Sequence, residues 1–236
     1  DYYIRIFDSK EMKQLLFELP VADKEFSKNN FGGKAFSLNL LINNGIPVPN
    51  TVVVGTSAHK IFLEHNSFRP FHIVAQTVYE NDESLDSLKS IMKEESLKYV
   101  NAHIPEILNT QINNFIAQTK NDLFAIRSSA NCEDGVNRAW AGQFNSFLNT
   151  QKSEIKNRIK SCYASVFSPG VFYYSLRNSQ VEKAIELAVI LQEMIPAEIS
   201  GVCFTTNPIS GNKNEIMIEF CEGLGVPLVS SQIVPH

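Results

Sequence analysis

The chain has 236 residues, 44% hydrophobic and 19% charged, with Lys+Arg 21 against Asp+Glu 25 and a net charge of -4. That composition supports the core of one large domain or two smaller ones and excludes wholesale disorder. The weak acidity argues against nucleic-acid binding through a general basic field, and the longest apolar runs, 47–54 and 188–191, are far short of a membrane span.

No basic start followed by an apolar stretch marks a signal peptide, so a cytoplasmic setting is expected, with no membrane and no nucleic acid as partner. The start at Asp1 leads us to expect a trimmed or partial chain. Cys132, Cys162, Cys203 and Cys221 are widely spaced and form no CxxC pair, so reduced thiols are expected rather than disulfides or a zinc site. His59 and His65 are expected on a surface helix, and no HxxxH pair occurs, so no metal ligand is assigned.

In chain order, residues 2–7 alternate in character and predict a short strand. Gly32-Gly33 opens a predicted helix over 34–44, with Phe36, Leu38, Leu40, Leu41 and Ile42 apolar and Gly45 as its C-terminal stop. Pro47-Val48-Pro49 leads into a β-branched strand over 51–54. The stretch 57–120 reads as helical, with many exposed charges. A short strand at 123–127 is expected to end in the polar pair Ser128-Ser129. Residues 142–148 alternate as a half-buried strand, and 153–167 form an amphipathic helix. Three further strands are predicted over 186–194, 201–205 and 215–220, with a boundary near Pro196. Helices dominate the first half and strands the second, which points to α+β rather than regular βαβ alternation.

Five segments carry chemically suggestive residues. Gly32-Gly33-Lys34 offers a bare backbone, a helix start and a point positive charge, all suited to an anion. Taken alone, however, this motif reads better as a glycine turn followed by a solvated lysine, because it is not a P-loop. Arg127 at a strand end presents a fork of donors matched to phosphate, with Ser128 and Ser129 as further donors; a structural ion pair with Glu133 or Asp134 is the equal alternative. Trp140-Ala141-Gly142-Gln143 suits a loop over a ligand, although Trp140 itself reads as a core anchor. Gln192, before Met194, Ile195 and Pro196, combines donor and acceptor as an adenine slot needs; the alternative is a strand end with Gln192 facing solvent. Gly223-Leu224-Gly225 alone marks a turn.

Taken in order, FGGKAFSLNLLINNGIPVPNTVVV, LFAIRSSANCEDGVNRAWAGQFNSFLN, SCYASVFSPGVFYYSLRN, LAVILQEMIPAEISGVCFTTNPISG and EIMIEFCEGLGVPLVSSQIVPH resemble the N-terminal ATP-binding region of the phosphoenolpyruvate synthase and pyruvate phosphate dikinase family. Rifampicin phosphotransferases share this region. The resemblance covers most of the chain outside 57–121.

The resemblance implies an ATP-grasp-like α+β fold of two lobes with mixed sheets, incomplete at the C-terminal end. It divides the chain into a first lobe over 1–195, with a helical insertion at about 57–120, and the start of a second over 196–236. By the same resemblance Lys34 and Arg127 contact phosphates. Gly142 and Ser146 lie in a segment that closes over them, Ser146 standing where threonine is frequent. Gln192 sits near adenine, and Met194 and Ile195 offer hinge backbone. Asn131 and Cys132 depart from the family's Thr-Ala, Trp140 from its Phe, and Val226 from its Glu.

The implied ligands are ATP and Mg2+, the latter with ligands outside this chain. The implied partners are a phosphohistidine-bearing swivelling domain and an acceptor domain of the parent protein. The expected function is the ATP-binding part of a phosphotransferase, with no catalytic residue in this chain and no complete phosphoryl transfer by it alone. The alternative is a non-catalytic nucleotide-binding or interaction module that retains the fold.

Overall fold

The structure is a computed structural model that describes residues 13–22, 26–81, 85–132, 144–177, 184–230 and 232–233. The strand predicted over 2–7 and the segment carrying Trp140 and Gly142 lie outside the described residues. The chain divides into two compact units, 1–194 and 195–236.

A five-stranded sheet organises the first unit. It is built from β1 (Leu16–Glu18), β2 (Thr51–Val54), β3 (Leu123–Ala130), β4 (Ser146–Gln151) and β5 (Leu187–Glu193), in the order β1-β2-β5-β3-β4. Every strand pair among the described residues is antiparallel. The sequence of β5, LAVILQE, has no polar residue until its end and is buried on both faces, which places it centrally. Val54, Phe124, Ile126, Leu187, Val189 and Leu191 meet the larger helical layer on one face. Val53, Ala188 and Ile190 meet a smaller cluster with Phe26, Phe31 and Ala35 on the other. A register slip of one residue would exchange these faces, so burial on both sides fixes the pairing.

Phe31 and Ala35 of the smaller cluster come from α1 (Lys28–Asn43), which begins six residues earlier than predicted. Ser27 caps it by accepting from the Asn30 N–H. The pair sits inside the helix at a break, where Gly32 has φ 73° and ψ 169°. Gly45 ends α1 as expected: its N–H bonds to Ile42 O and that of Ile46 to Leu41 O, with φ 74° at the glycine.

The stretch predicted as helical forms α2 (Thr56–His65), α3 (Phe71–Glu80), α4 (Leu85–Asn101) and α5 (Glu106–Gln118). Beyond β4, the helix predicted over 153–167 is α6 (Ile155–Ala164) flanked by 3-10 turns, and α7 (Pro169–Arg177) follows. Phe62, Tyr99, Tyr163 and Phe167 join these helices in an aromatic core, with ring centroids 5.0–5.7 Å apart.

His59 corrects the surface expectation. It is 2% exposed, stacks on Tyr163 at 4.6 Å and accepts at Nδ1 from the Leu187 N–H. Its position in α2 turns it toward β5, while His65, almost two turns on, is exposed. Burial, with a smaller contribution from Lys60, pushes its pKa down to about 3.

In the second unit β6 (Ile199–Phe204) pairs with β7 (Met217–Glu222), and α8 (Val226–Val229) adds one turn. Both strands lie within two residues of their predicted spans. The loop between them is tied by Glu215, which accepts from Asn207 Nδ2 at 2.7 Å and Asn212 Nδ2 at 2.8 Å. These bonds hold the exposed carboxyl below the usual carboxylate range. Among the described residues no helix is long and apolar enough to cross a membrane.

Candidate functional site

The site is set by strand register. On the sheet face that α1 covers in part, β5 places Gln192 opposite Thr51 of β2 on one side and Ala125 of β3 on the other. Two residues along, Ile190 lies opposite Val53 and Arg127. Arg127 in turn stands opposite Ser146 of β4. Side chains directly opposite in a pair share a face, so Thr51, Gln192, Ala125, Arg127 and Ser146 project to the same side. Arg127 and Gln192 are diagonal neighbours, about 7–8 Å apart by the geometry of antiparallel sheets.

Lys34 approaches from α1. Its Nζ donates to the Ser128 carbonyl at 3.1 Å, one residue from Arg127. The reach depends on how tightly α1 seats on β3. The Ser129 hydroxyl donates to the Phe31 carbonyl at 2.9 Å and accepts from the Ala35 N–H at 3.1 Å. Gly32 packs on the Ser129 backbone so closely that a Cβ there would stand 2.2 Å from the carbonyl oxygen. The bare backbone at Gly32 therefore accommodates the neighbouring strand, which answers the structural need behind that glycine.

Two expectations change. Ser128 and Ser129 do not end the strand, because β3 continues to Ala130 with both serines buried. Their hydroxyls have partners, Ser128 on the Asn145 carbonyl and Ser129 on that of Phe31, so burial carries no desolvation penalty there. Ser128 also donates its N–H to Asn145 O, so these groups serve the fold rather than a ligand.

Gln192 is 9% exposed rather than facing solvent, and its Nε2 donates to Thr51 Oγ1 at 3.0 Å. Met194 donates its N–H to the Leu123 carbonyl at 3.1 Å, so that N–H is engaged within the sheet. Ile195 is exposed and begins the second unit. Gly142 lies outside the described residues, as do Glu133 and Asp134. Among the described residues no carboxylate lies in ion-pair range of Arg127.

The sequence reading missed Thr51. The residue looks like an ordinary strand start after Pro49, and its role emerges only when β2 is set against β5. What the described face offers is two cations at adjacent positions, a hydroxyl at Ser146 and a buried amide. Such a set suits a ligand with a polyanionic end and a planar polar end.

The family described as pyruvate phosphate dikinase, AMP/ATP-binding domain, matches residues 28–236. The chain is 32% identical over 213 residues to the prodigiosin synthesizing transferase PigC of Serratia marcescens, covering 89% of this chain and 22% of that protein. It is 33% identical over 213 residues to a probable phosphoenolpyruvate synthase of Methanothermobacter thermautotrophicus, covering 86% of this chain and 31% of that protein. Against a probable phosphoenolpyruvate synthase of Methanocaldococcus jannaschii it is 31% identical over 236 residues, covering 97% and 19%. The chain thus spans about a fifth to a third of the length of these curated relatives. With the match running across both compact units, the chain belongs to the pyruvate phosphate dikinase AMP/ATP-binding domain family.

Proposed function

We propose that this chain is the ATP-binding part of a dikinase-type phosphotransferase. Lys34 and Arg127 neutralise and orient the phosphates, Ser146 adds a hydroxyl, and Gln192 meets the base, with the Met194 carbonyl and Ile195 as hinge backbone. Gly142 belongs to the segment that closes over the phosphates. The observation that carries the reading is Arg127: a half-buried guanidinium, with no ion-pair partner among the described residues, on the same sheet face as Gln192 and beside the lysine. A cation so placed suits a ligand anion, the alternative ion-pair partners Glu133 and Asp134 lying outside the described residues.

Phosphoryl transfer asks a binding domain chiefly for positioning and charge neutralisation. The chemistry then passes through a histidine on a separate swivelling domain of the parent protein, and from there to a small acceptor such as pyruvate. The magnesium that such transfer uses would neutralise charge on the phosphates. Among the described residues no three His, Cys, Asp or Glu side chains group as a metal site. The magnesium ligands are proposed to lie in the rest of the parent polypeptide.

Calorimetry with a non-hydrolysable ATP analogue and magnesium on the full-length protein tests the binding. Saturable binding that Arg127→Ala abolishes supports the reading, and no binding by the unaltered protein refutes it. A phosphohistidine detected by mass spectrometry after incubation with ATP supports the transfer route.

A further inference from the structure

We infer that Thr51 orients the Gln192 amide, so that the base pocket favours a nucleobase with an exocyclic amino group over one with a keto group at the same position. The inference rests on the nucleotide reading above and adds to it a positioning residue and the base selectivity it sets.

One proton sets the direction of the bonds around Gln192. The Thr51 hydroxyl has one to donate, and it goes to the Pro49 carbonyl at 2.7 Å. That carbonyl can only accept, so the direction of the bond is fixed. Thr51 Oγ1 can then only accept from Gln192, at 3.0 Å, and the amide group facing it must be the NH2. Thr51 is 2% exposed and Gln192 9%, so bulk water does not compete for these bonds.

The Gln192 oxygen is therefore turned away from Thr51. On the opposite side of the row stands Ala125, whose methyl group offers no hydrogen bond. Among the described residues Oε1 has no hydrogen-bond partner, yet it is not one of the buried unpartnered atoms, so it remains open to a ligand. A glutamine in isolation offers donor and acceptor alike, because its amide turns over freely. Held by Thr51, it leads with its acceptor. An acceptor pairs with the 6-amino group of adenine and repels the 6-keto group of hypoxanthine. Leaving either partner unpaired in a desolvated pocket is what makes such discrimination effective.

The test compares ATP with ITP, whose triphosphates are identical, by calorimetry on the full-length protein and three variants. The unaltered protein is expected to prefer ATP by about tenfold or more. Thr51→Ser keeps the hydroxyl and should keep the preference. Thr51→Val keeps the shape, frees the amide to turn over, and should bring the two affinities within about threefold. Gln192→Met removes the acceptor and should do the same, and it decides the matter if Thr51→Val fails to fold. An undiminished preference in Thr51→Val or in Gln192→Met overturns the inference. Equal binding of ATP and ITP by the unaltered protein overturns it while leaving the nucleotide reading intact. Binding of neither overturns both.

Discussion

Gly32 of α1 and Ser129 of β3 approach until no side chain fits between them: a Cβ on Gly32 would lie 2.2 Å from the Ser129 carbonyl oxygen. The same glycine has φ +73°, in the region that L side chains rarely adopt. This contact seats the helix that carries Lys34, so packing and site geometry are coupled. Gly32→Ala is expected to cost about 3 kcal/mol or more, combining left-handed strain with a backbone clash. Gly45→Ala serves as the control. Its φ is +74° but nothing lies within 4 Å, so only the backbone strain of about 1 kcal/mol applies. Urea midpoints of the two variants should rank in that order, and equal losses would contradict the close approach.

His59 should make stability fall in mild acid. Its folded pKa is pushed down to about 3, against 6.5 for the free side chain, so between these values the unfolded chain binds a proton that the native one does not. Stability is then fully present above pH 6.5 and declines as pH falls, by up to about 1.4 kcal/mol per unit from this group. His59→Phe removes the titration and leaves the Leu187 N–H without its partner. That variant should be weaker at pH 7 by about 1–3 kcal/mol and show a flatter stability profile between pH 7 and 5. An unchanged profile would show that His59 is not the titrating group.

Tyr163 offers a prediction of opposite sign. It is fully buried, and its hydroxyl has no hydrogen-bond partner among the described residues. Burial also drives its pKa upward, so the group stays protonated. Tyr163→Phe deletes a desolvated hydroxyl while keeping the ring that stacks on His59 and packs on Phe62. Stability should hold or rise by about 1 kcal/mol, read as a thermal midpoint. A loss of similar size would reveal a partner for the hydroxyl.

Arg127→Ala should separate binding from folding. The side chain is half-buried and has no ion-pair partner among the described residues, so the unliganded protein should lose less than about 1 kcal/mol. ATP at 100 times its dissociation constant stabilises a native protein by about 2.7 kcal/mol, a rise of several degrees in Tm. That rise should vanish in the variant. A variant that keeps the full ATP-dependent rise would remove Arg127 from the site.

Local pattern carried much of the secondary structure. The β-branched run of β2 and the apolar run of β5 read as strands because their residues pack on a pleated, buried surface wherever it lies. The end of α1 was legible because a left-handed glycine is a local requirement. β1 and α7 were not predicted: one is three residues long, and the other opens on Pro169-Gly170, a pair that reads as a turn. Ser128 and Ser129 looked like a strand end because a hydroxyl reads as exposed until its buried partner is known.

The sequence by itself determined the family resemblance and the cations Lys34 and Arg127, since residue identity and order survive without any coordinates. Only the tertiary structure decided that Arg127, Ser146, Gln192 and Thr51 share one face, because that depends on a register spread over four strands and about 140 residues of chain. It also decided which of Gln192's two polar groups is turned toward Thr51. A hydrogen-bond chain through Pro49 and Thr51 settles that direction, and no spacing along the chain encodes it.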